Sequence, residues 1–256
     1  MPYSHLVLDW NGTLLRFPTD ELQNKTIAYA VLGGAWNGLK RLELSRLGQI
    51  ADLMGARREL KKRIREYEAG DRDLASVYEP FNERVLDGQP IDLVKEAIRH
   101  YARENRDAVN TSLLGEVMSS SQSGRRGILS VSVDYSIRQF LDNSGFGDLI
   151  EDHDIVSHRL LEEDGVCRGF STDLYDQKPK AFENSFLRDR EFPSAQTFYI
   201  GDSEDDEGIA SILPRGNFIL SEFASEAFKN KMARKHGAEV PEDVFGFLSK
   251  QYVNGR

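Results

Sequence analysis

The chain has 256 residues, 39% of them apolar and 29% charged, which is enough to bury one large core or two smaller ones and excludes a disordered chain. Its single cysteine, Cys167, excludes an internal disulfide and a thiolate zinc site. The net charge of −9 disfavours general nucleic-acid binding, and the absence of long apolar runs and of a signal-peptide pattern predicts no membrane contact and a cytoplasmic location.

Four short apolar runs predict the buried strands of a parallel sheet. The first run, residues 5–8, ends at Asp9 and is followed by an Asn-Gly turn. The other three runs are Gly127–Val131, Thr197–Ile200 and Asn217–Leu220.

Helical patterns between these runs predict a βαβ architecture. They cover Tyr135–Leu141 and Pro179–Leu187. The segment Ile155–Phe170 differs, because Asp164-Gly165 separates two extended runs in the way of a hairpin turn. The fold class is therefore α/β, with a doubly wound, mostly parallel sheet.

From about Arg16 to about Asn110 the strand patterns disappear and apolar residues recur at helical spacing. The clearest helix follows Pro90 and carries the apolar stripe Ile91, Val94, Ile98 and Tyr101. Further helices are predicted at Asp20–Leu32, Leu39–Leu53, Arg57–Glu68 and Arg72–Val85. The predicted organisation is a core of residues 1–15 and 111–256 with an all-helical insert of residues 16–110 after the first strand.

Four polar features lie at predicted strand ends or at a helix start, where open α/β sheets place their ligands. Asp9 ends the first strand, Ser130 lies near the end of the second, and Lys178 precedes a proline at a helix start. Residues 201–206, Gly-Asp-Ser-Glu-Asp-Asp, follow the third strand. Clustered carboxylates repel one another unless a cation lies among them, and oxygen ligands of this kind suit Mg²⁺.

In this order the features resemble the four motifs of the haloacid dehalogenase superfamily of phosphoryl-transfer enzymes. The motifs read Asp9-Trp10-Asn11-Gly12-Thr13, then Ser130, then Lys178, then Gly201 to Asp206. The helical insert resembles, in position and helical character, the C1-type cap of the phosphoserine-phosphatase-like branch. The resemblance therefore implies a Rossmann-like core with a helical cap.

The resemblance also implies an activity. It is that of a Mg²⁺-dependent phosphatase, a phosphoric monoester hydrolase that acts on a small phosphorylated metabolite through an aspartyl-phosphate on Asp9. The implied metal site consists of Asp9, Asn11 through its backbone carbonyl, Asp202 and Asp206, the last orienting metal-bound water or Lys178. The implied phosphate-binding residues are Gly12, Thr13, Ser130 and Lys178.

Asn11 departs from the family pattern, which has an aspartate here as the general acid and base. Its amide cannot exchange a proton, although its carbonyl can bind a metal and its side chain can form hydrogen bonds. General acid–base catalysis contributes about 10²- to 10⁴-fold to rate. A weakly active or inactive phosphate-ester-binding protein is therefore an alternative to the phosphatase.

Neighbouring residues compete for several of these roles. Ser132 competes with Ser130, Lys180 competes with Lys178, and Asp205 is a further candidate beside the fourth motif. Polynucleotide end phosphatase activity would need a basic channel, but the basic run of residues 57–65 is interleaved with glutamate, as is typical of a solvated helix face. The five histidines show no metal-ligand spacing.

Overall fold

The computed structural model of the protein describes residues 5–16, 55–56, 58–66, 74–81, 85–119 and 125–254. Its strands are β1 (His5–Leu8), β2 (Arg126–Val133), β3 (Ile155–His158), β4 (Leu160–Glu163), β5 (Val166–Phe170), β6 (Thr197–Gly201) and β7 (Phe218–Leu220). Five of them form one sheet in the order β3-β2-β1-β6-β7, and all its pairs are parallel. The chain winds outward from β1 in both directions, so the predicted doubly wound α/β fold is confirmed.

Helices cover both faces of this sheet. The helices with defined bounds are α1 (Leu74–Phe81), α2 (Ile91–Glu104), α3 (Thr111–Ser119), α4 (Asp134–Ser144), α5 (Lys178–Phe182), α6 (Glu207–Ala210), α7 (Glu226–His236) and α8 (Val244–Asn254). Residues 58–66 are also helical, and α5 continues into a π-helical turn over Glu183–Arg188. The predicted helices at Tyr135–Leu141 and Pro179–Leu187 correspond to α4 and to α5 with its continuation.

Strand residues alternate between two hydrophobic cores because successive side chains point to opposite faces of a sheet. Leu6 and Leu8 pack into a core with α2, α3, α4 and α8. Val7, between them, packs into the opposite core with α5, α6 and α7. Because β1 pairs in parallel with both β2 and β6, the carboxyl ends of these three strands point to the same edge of the sheet.

The hairpin predicted over Ile155–Phe170 is correct only in its second part. Strands β4 and β5 are antiparallel about the turn at Asp164-Gly165, where φ is 50° and 76°. The first four residues instead pair in parallel with β2 and form the edge strand β3. Ile155 and Val156 pack against the hydrophobic cores, which the solvent-exposed faces of an isolated hairpin would not allow.

The helical prediction holds for the described part of the chain between β1 and β2. Helix α2 buries Ile91, Val94, Ile98 and Tyr101, as its apolar stripe predicts. The predicted helices at Asp20–Leu32 and Leu39–Leu53 lie outside the described residues. The other two predicted helices, Arg57–Glu68 and Arg72–Val85, include the helical residues 58–66 and α1, which are described parts of those ranges.

This helical segment is attached to the hairpin through its backbone. Gly88 N donates to Cys167 O at 3.0 Å, and Cys167 N donates to Gln89 O at 2.8 Å. Ion pairs between Lys95 and Glu162 and between Arg168 and Asp87 flank these bonds. Among the described helices, none combines the length and the apolar character that a membrane span requires.

Candidate active site

Asp9 lies directly after β1, at the carboxyl edge of the sheet. Its backbone N–H donates to Ile200 O at 2.8 Å, and its side chain is 5% exposed. The chain then turns tightly, with Gly12 N bonded to Leu15 O at 2.8 Å and Leu15 N bonded to Trp10 O at 2.7 Å. Because Trp10 is fully buried beneath this turn, the turn fixes the carboxylate of Asp9 at the sheet edge.

Gly12 permits a close approach between the first and fourth motifs. Its φ is +67°, and a Cβ atom built at this position would lie 2.0 Å from Asp202 Oδ2. Ser221, after β7, donates from its hydroxyl to Gly12 O at 2.6 Å and holds the turn in place. A residue without a side chain is therefore required here both by backbone conformation and by the position of Asp202.

Lys178 joins the motifs at the centre of the site. It begins α5 directly before Pro179, and its side chain is 3% exposed. Its Nζ lies 2.7 Å from Asp9 Oδ1 and 2.6 Å from Asp206 Oδ1. Lys180, the competing candidate, is exposed, so the structure brings Lys178 and not Lys180 into contact with Asp9.

Asp206 is fully buried behind Lys178. Besides the lysine, its Oδ1 accepts a hydrogen bond from the Tyr199 hydroxyl at 2.7 Å. Its Oδ2 accepts from the backbone N–H groups of Asp202 at 3.1 Å and Ser203 at 3.4 Å. Asp206 thus connects Lys178 to the backbone that carries Asp202.

The three carboxylates of Asp9, Asp202 and Asp206 form a compact acidic cluster, with one oxygen of each lying within 4.8 Å of the others. Asp205 lines a neighbouring cavity of about 200 Å³ beside Lys178, with the acidic side chains of Asp176 and Glu204.

Burial and mutual repulsion oppose ionisation in this cluster. Burial, followed by the charges of Asp9 and Asp206, raises the pKa of Asp202. Burial also raises the pKa of Asp9, against the opposing charge of Lys178. Burial disfavours the charge on Lys178 itself, but Asp206 and Asp9 outweigh it and raise the pKa of the lysine. One buried cation therefore faces three carboxylates, and a divalent cation would relieve the remaining repulsion.

Both candidate serines lie next to Asn11. Asn11 Nδ2 donates to Ser132 Oγ at 2.6 Å and to Ser130 Oγ at 3.4 Å. Ser130 Oγ also accepts the backbone N–H of Ser132 at 3.1 Å. Ser132 is nearer the end of β2 and makes the shorter bond, whereas Ser130 lies further inside the strand and supports it.

Two buried side-chain oxygen atoms of the first motif, as well as the indole Nε1 of Trp10, have no hydrogen-bond partner among the described residues. The two oxygen atoms are Asn11 Oδ1 and Thr13 Oγ1, in residues that are 4% and 1% exposed. A buried polar group without a partner is costly and calls for a ligand or water to satisfy it. These atoms therefore fit a site that a polar ligand completes.

Sequence reasoning missed two residues of this site, Tyr199 and Ser221. Tyr199 lies inside β6, where an aromatic ring is ordinarily interpreted as a packing residue. Ser221 directly follows β7 at the same sheet edge as Asp9, and that position was the signal that could have found it.

No protein-family model matches the sequence, and no curated protein matches it. Solved structures do match. A HAD family hydrolase from Salmonella enterica subsp. enterica serovar Typhi has a TM-score of 0.60 at 12% identity, over 94% of this chain and 68% of that one. The fold is thus that of the haloacid dehalogenase hydrolases.

Within that class, the fold matches phosphoserine phosphatase-like structures over nearly their whole length. A phosphoserine phosphohydrolase-like protein from Francisella tularensis subsp. tularensis has a TM-score of 0.61 at 16% identity, over 98% of this chain and 99% of that one. A substrate-bound phosphoserine phosphatase has a TM-score of 0.54 at 15% identity, also over 98% and 99%. The chain has the haloacid dehalogenase fold in the form that these phosphoserine phosphatases share.

Proposed function

We propose that the protein is a Mg²⁺-dependent phosphatase that hydrolyses a small phosphorylated metabolite through a phosphorylated Asp9. The observation that carries this proposal is the contact of Lys178 with both Asp9 and Asp206 inside a buried carboxylate cluster. A nucleophilic carboxylate beside a fixed ammonium group suits attack on a phosphate dianion, because the cation offsets the repulsion between the two anions. The fold shared with phosphoserine phosphatases agrees with this chemistry.

The donor set fits a magnesium ion. Asp9, Asp202 and the backbone carbonyl of Asn11 would hold it, and Asp206 would act by orienting water or Lys178. The three carboxylate oxygens lie within 4.8 Å of one another, and burial and the neighbouring carboxylates raise the pKa of Asp202, so this place favours a divalent cation. Bound Mg²⁺ would neutralise charge on the phosphoryl oxygens and help to orient the substrate.

The chain's own residues would perform the remaining steps. Lys178 would donate to a phosphoryl oxygen, together with a serine hydroxyl and the Gly12–Thr13 segment. Of the two serines, Ser132 is the better donor because it is closer to Asn11 and to the end of β2, and Ser130 positions it. An Asp9 oxygen would form a bond to phosphorus as the ester oxygen leaves, and water would then cleave the aspartyl-phosphate.

Asn11 would orient groups rather than transfer protons. With Nδ2 held by Ser132, its Oδ1 is available to accept a hydrogen bond from the attacking water. Orientation without proton transfer predicts slow turnover of esters with poor leaving groups.

Residues 16–110 would form the cap over this site, with residues 1–15 and 111–256 as the core. A cap inserted after the first strand can exclude water and select the leaving group, which favours a small substrate. The helical residues 58–66 carry the ion pairs Arg63–Glu59 and Lys62–Glu66, which supports a solvated face there rather than a nucleic-acid channel.

A panel of phosphate esters tests the proposal. Release of inorganic phosphate from at least one small ester, with Mg²⁺ present and not with EDTA, is expected. Asp9→Asn should abolish it while circular dichroism and the melting temperature stay near those of the wild type. Tight binding of phosphate esters without any turnover would contradict the phosphatase proposal and favour the alternative, a phosphate-ester-binding protein.

A further inference from the structure

Tyr199 lies behind the catalytic cluster and is not explained by the motifs. Its side chain is fully buried in β6. The ring packs edge-on against Phe182, with centroids 5.7 Å apart, and against Phe218 at 5.5 Å. These contacts fix the ring, so its hydroxyl has little freedom to leave Asp206 Oδ1, 2.7 Å away.

The hydroxyl completes the hydrogen bonding of Asp206. Each carboxylate oxygen offers two lone pairs. Oδ1 accepts a hydrogen bond from the Tyr199 hydroxyl and contacts Lys178 Nζ, and Oδ2 accepts hydrogen bonds from the backbone N–H groups of residues 202 and 203. Asp206 is therefore held at both oxygens and cannot rotate without breaking a buried hydrogen bond.

We propose that Tyr199 is a positioning residue that acts through Asp206 to hold the Lys178 ammonium group where the phosphoryl group binds. This inference rests on the proposed function of the site. Lys178 has three N–H donors, and two of them point to Asp206 and Asp9. When a phosphate arrives, Lys178 must share its donors with the ligand while Asp206 stays in place, and the Tyr199 hydroxyl keeps it there.

Tyr199→Phe removes this hydrogen bond and keeps the ring. Loss of a partner that orients a functional group typically costs 10- to 100-fold in affinity or activity, so kcat/KM should fall at least about tenfold. Competitive inhibition by orthophosphate should weaken to a similar extent, because Lys178 contacts the phosphoryl group in both cases. The matched control is Tyr101→Phe, which removes a hydroxyl from a buried tyrosine that packs on Phe140.

The orthophosphate readout separates positioning from stability, since a merely structural role would lower the melting temperature without changing the inhibition constant of the folded enzyme. If Tyr199→Phe keeps kcat/KM and the inhibition constant within twofold of Tyr101→Phe, the inference is overturned.

If the wild type hydrolyses no ester, the phosphatase proposal fails, and calorimetric binding of orthophosphate to wild type and Tyr199→Phe decides the positioning role alone. A wild type that does not bind orthophosphate overturns both.

Discussion

Gly12→Ala tests whether the first and fourth motifs meet as described. Gly12 has φ +67°, and an alanine Cβ would lie 2.0 Å from Asp202 Oδ2, whereas ordinary contacts begin at 3.4 Å. Left-handed backbone costs a non-glycine residue about 1–2 kcal/mol. The clash adds a displacement of Asp202 or of the turn by about 1 Å or more, and misplacement on that scale costs about 10²-fold in activity.

Gly88→Ala is the matched control. Gly88 has φ +81°, but a Cβ atom there meets nothing within 4 Å. In urea denaturation, Gly88→Ala should lose about 1–2 kcal/mol in the free energy of unfolding, and Gly12→Ala should lose at least as much because its clash with Asp202 adds to the same backbone cost. Only Gly12→Ala should also lose Mg²⁺-dependent phosphate release from an aryl phosphate. Equal activity in the two variants would refute the reasoning, because the contact with Asp202 would then have no consequence.

Three further predictions concern Lys178, Asn11 and His158. Lys178→Ala should lower kcat by about 10²-fold or more, because it removes a donor to the charge that develops on the phosphoryl group. The kcat of Lys180→Ala should stay within about twofold of the wild type, because Lys180 is exposed. The reverse order of the two kcat values in a steady-state assay would mean that the wrong lysine is assigned. Asn11→Asp should raise turnover of alkyl phosphates by about 10²- to 10⁴-fold and change aryl phosphates little; an unchanged alkyl-to-aryl ratio would exclude position 11 as the missing acid and base. Burial lowers the pKa of His158 from 6.5 to about 4. As the pH falls from about 7.5 to about 4, the unfolded chain therefore binds a proton at this residue before the folded protein does, and the free energy of unfolding decreases. Between about pH 7.5 and 5, the free energy of unfolding measured by urea denaturation should fall by about 2 kcal/mol less in His158→Leu than in the wild type, and an equal fall in the two proteins would contradict this assignment.

The sequence identifies site residues best where a charged side chain lies directly after a buried strand or at the start of a helix. Asp9, Lys178 and the 201–206 segment each follow a buried strand or begin a helix, and the parallel sheet brings these points to one edge. Pro179 distinguished Lys178 from Lys180, because a proline at the first position of a helix fixes where that helix begins.

Other features depend on register and on distant packing. Ser130 and Ser132 share one face of β2, and only the point at which the strand ends decides which hydroxyl lies closer to Asn11. Tyr199 looks like any buried aromatic residue until its hydroxyl is seen against Asp206. The prediction included the edge strand β3 in the hairpin, because the sequence of four extended residues does not indicate which strand they pair with.

In the proposed mechanism, Asp9 carries the phosphoryl group during turnover. Intact mass after rapid acid quenching with an aryl phosphate and Mg²⁺ tests this directly. The wild type should gain the mass of one phosphoryl group, which peptide mapping assigns to Asp9, and slow hydrolysis with Asn11 should let this species accumulate. Asp9→Asn should gain none. Phosphate release by the wild type without any phosphorylated Asp9, or with equal rate in Asp9→Asn, would contradict the mechanism.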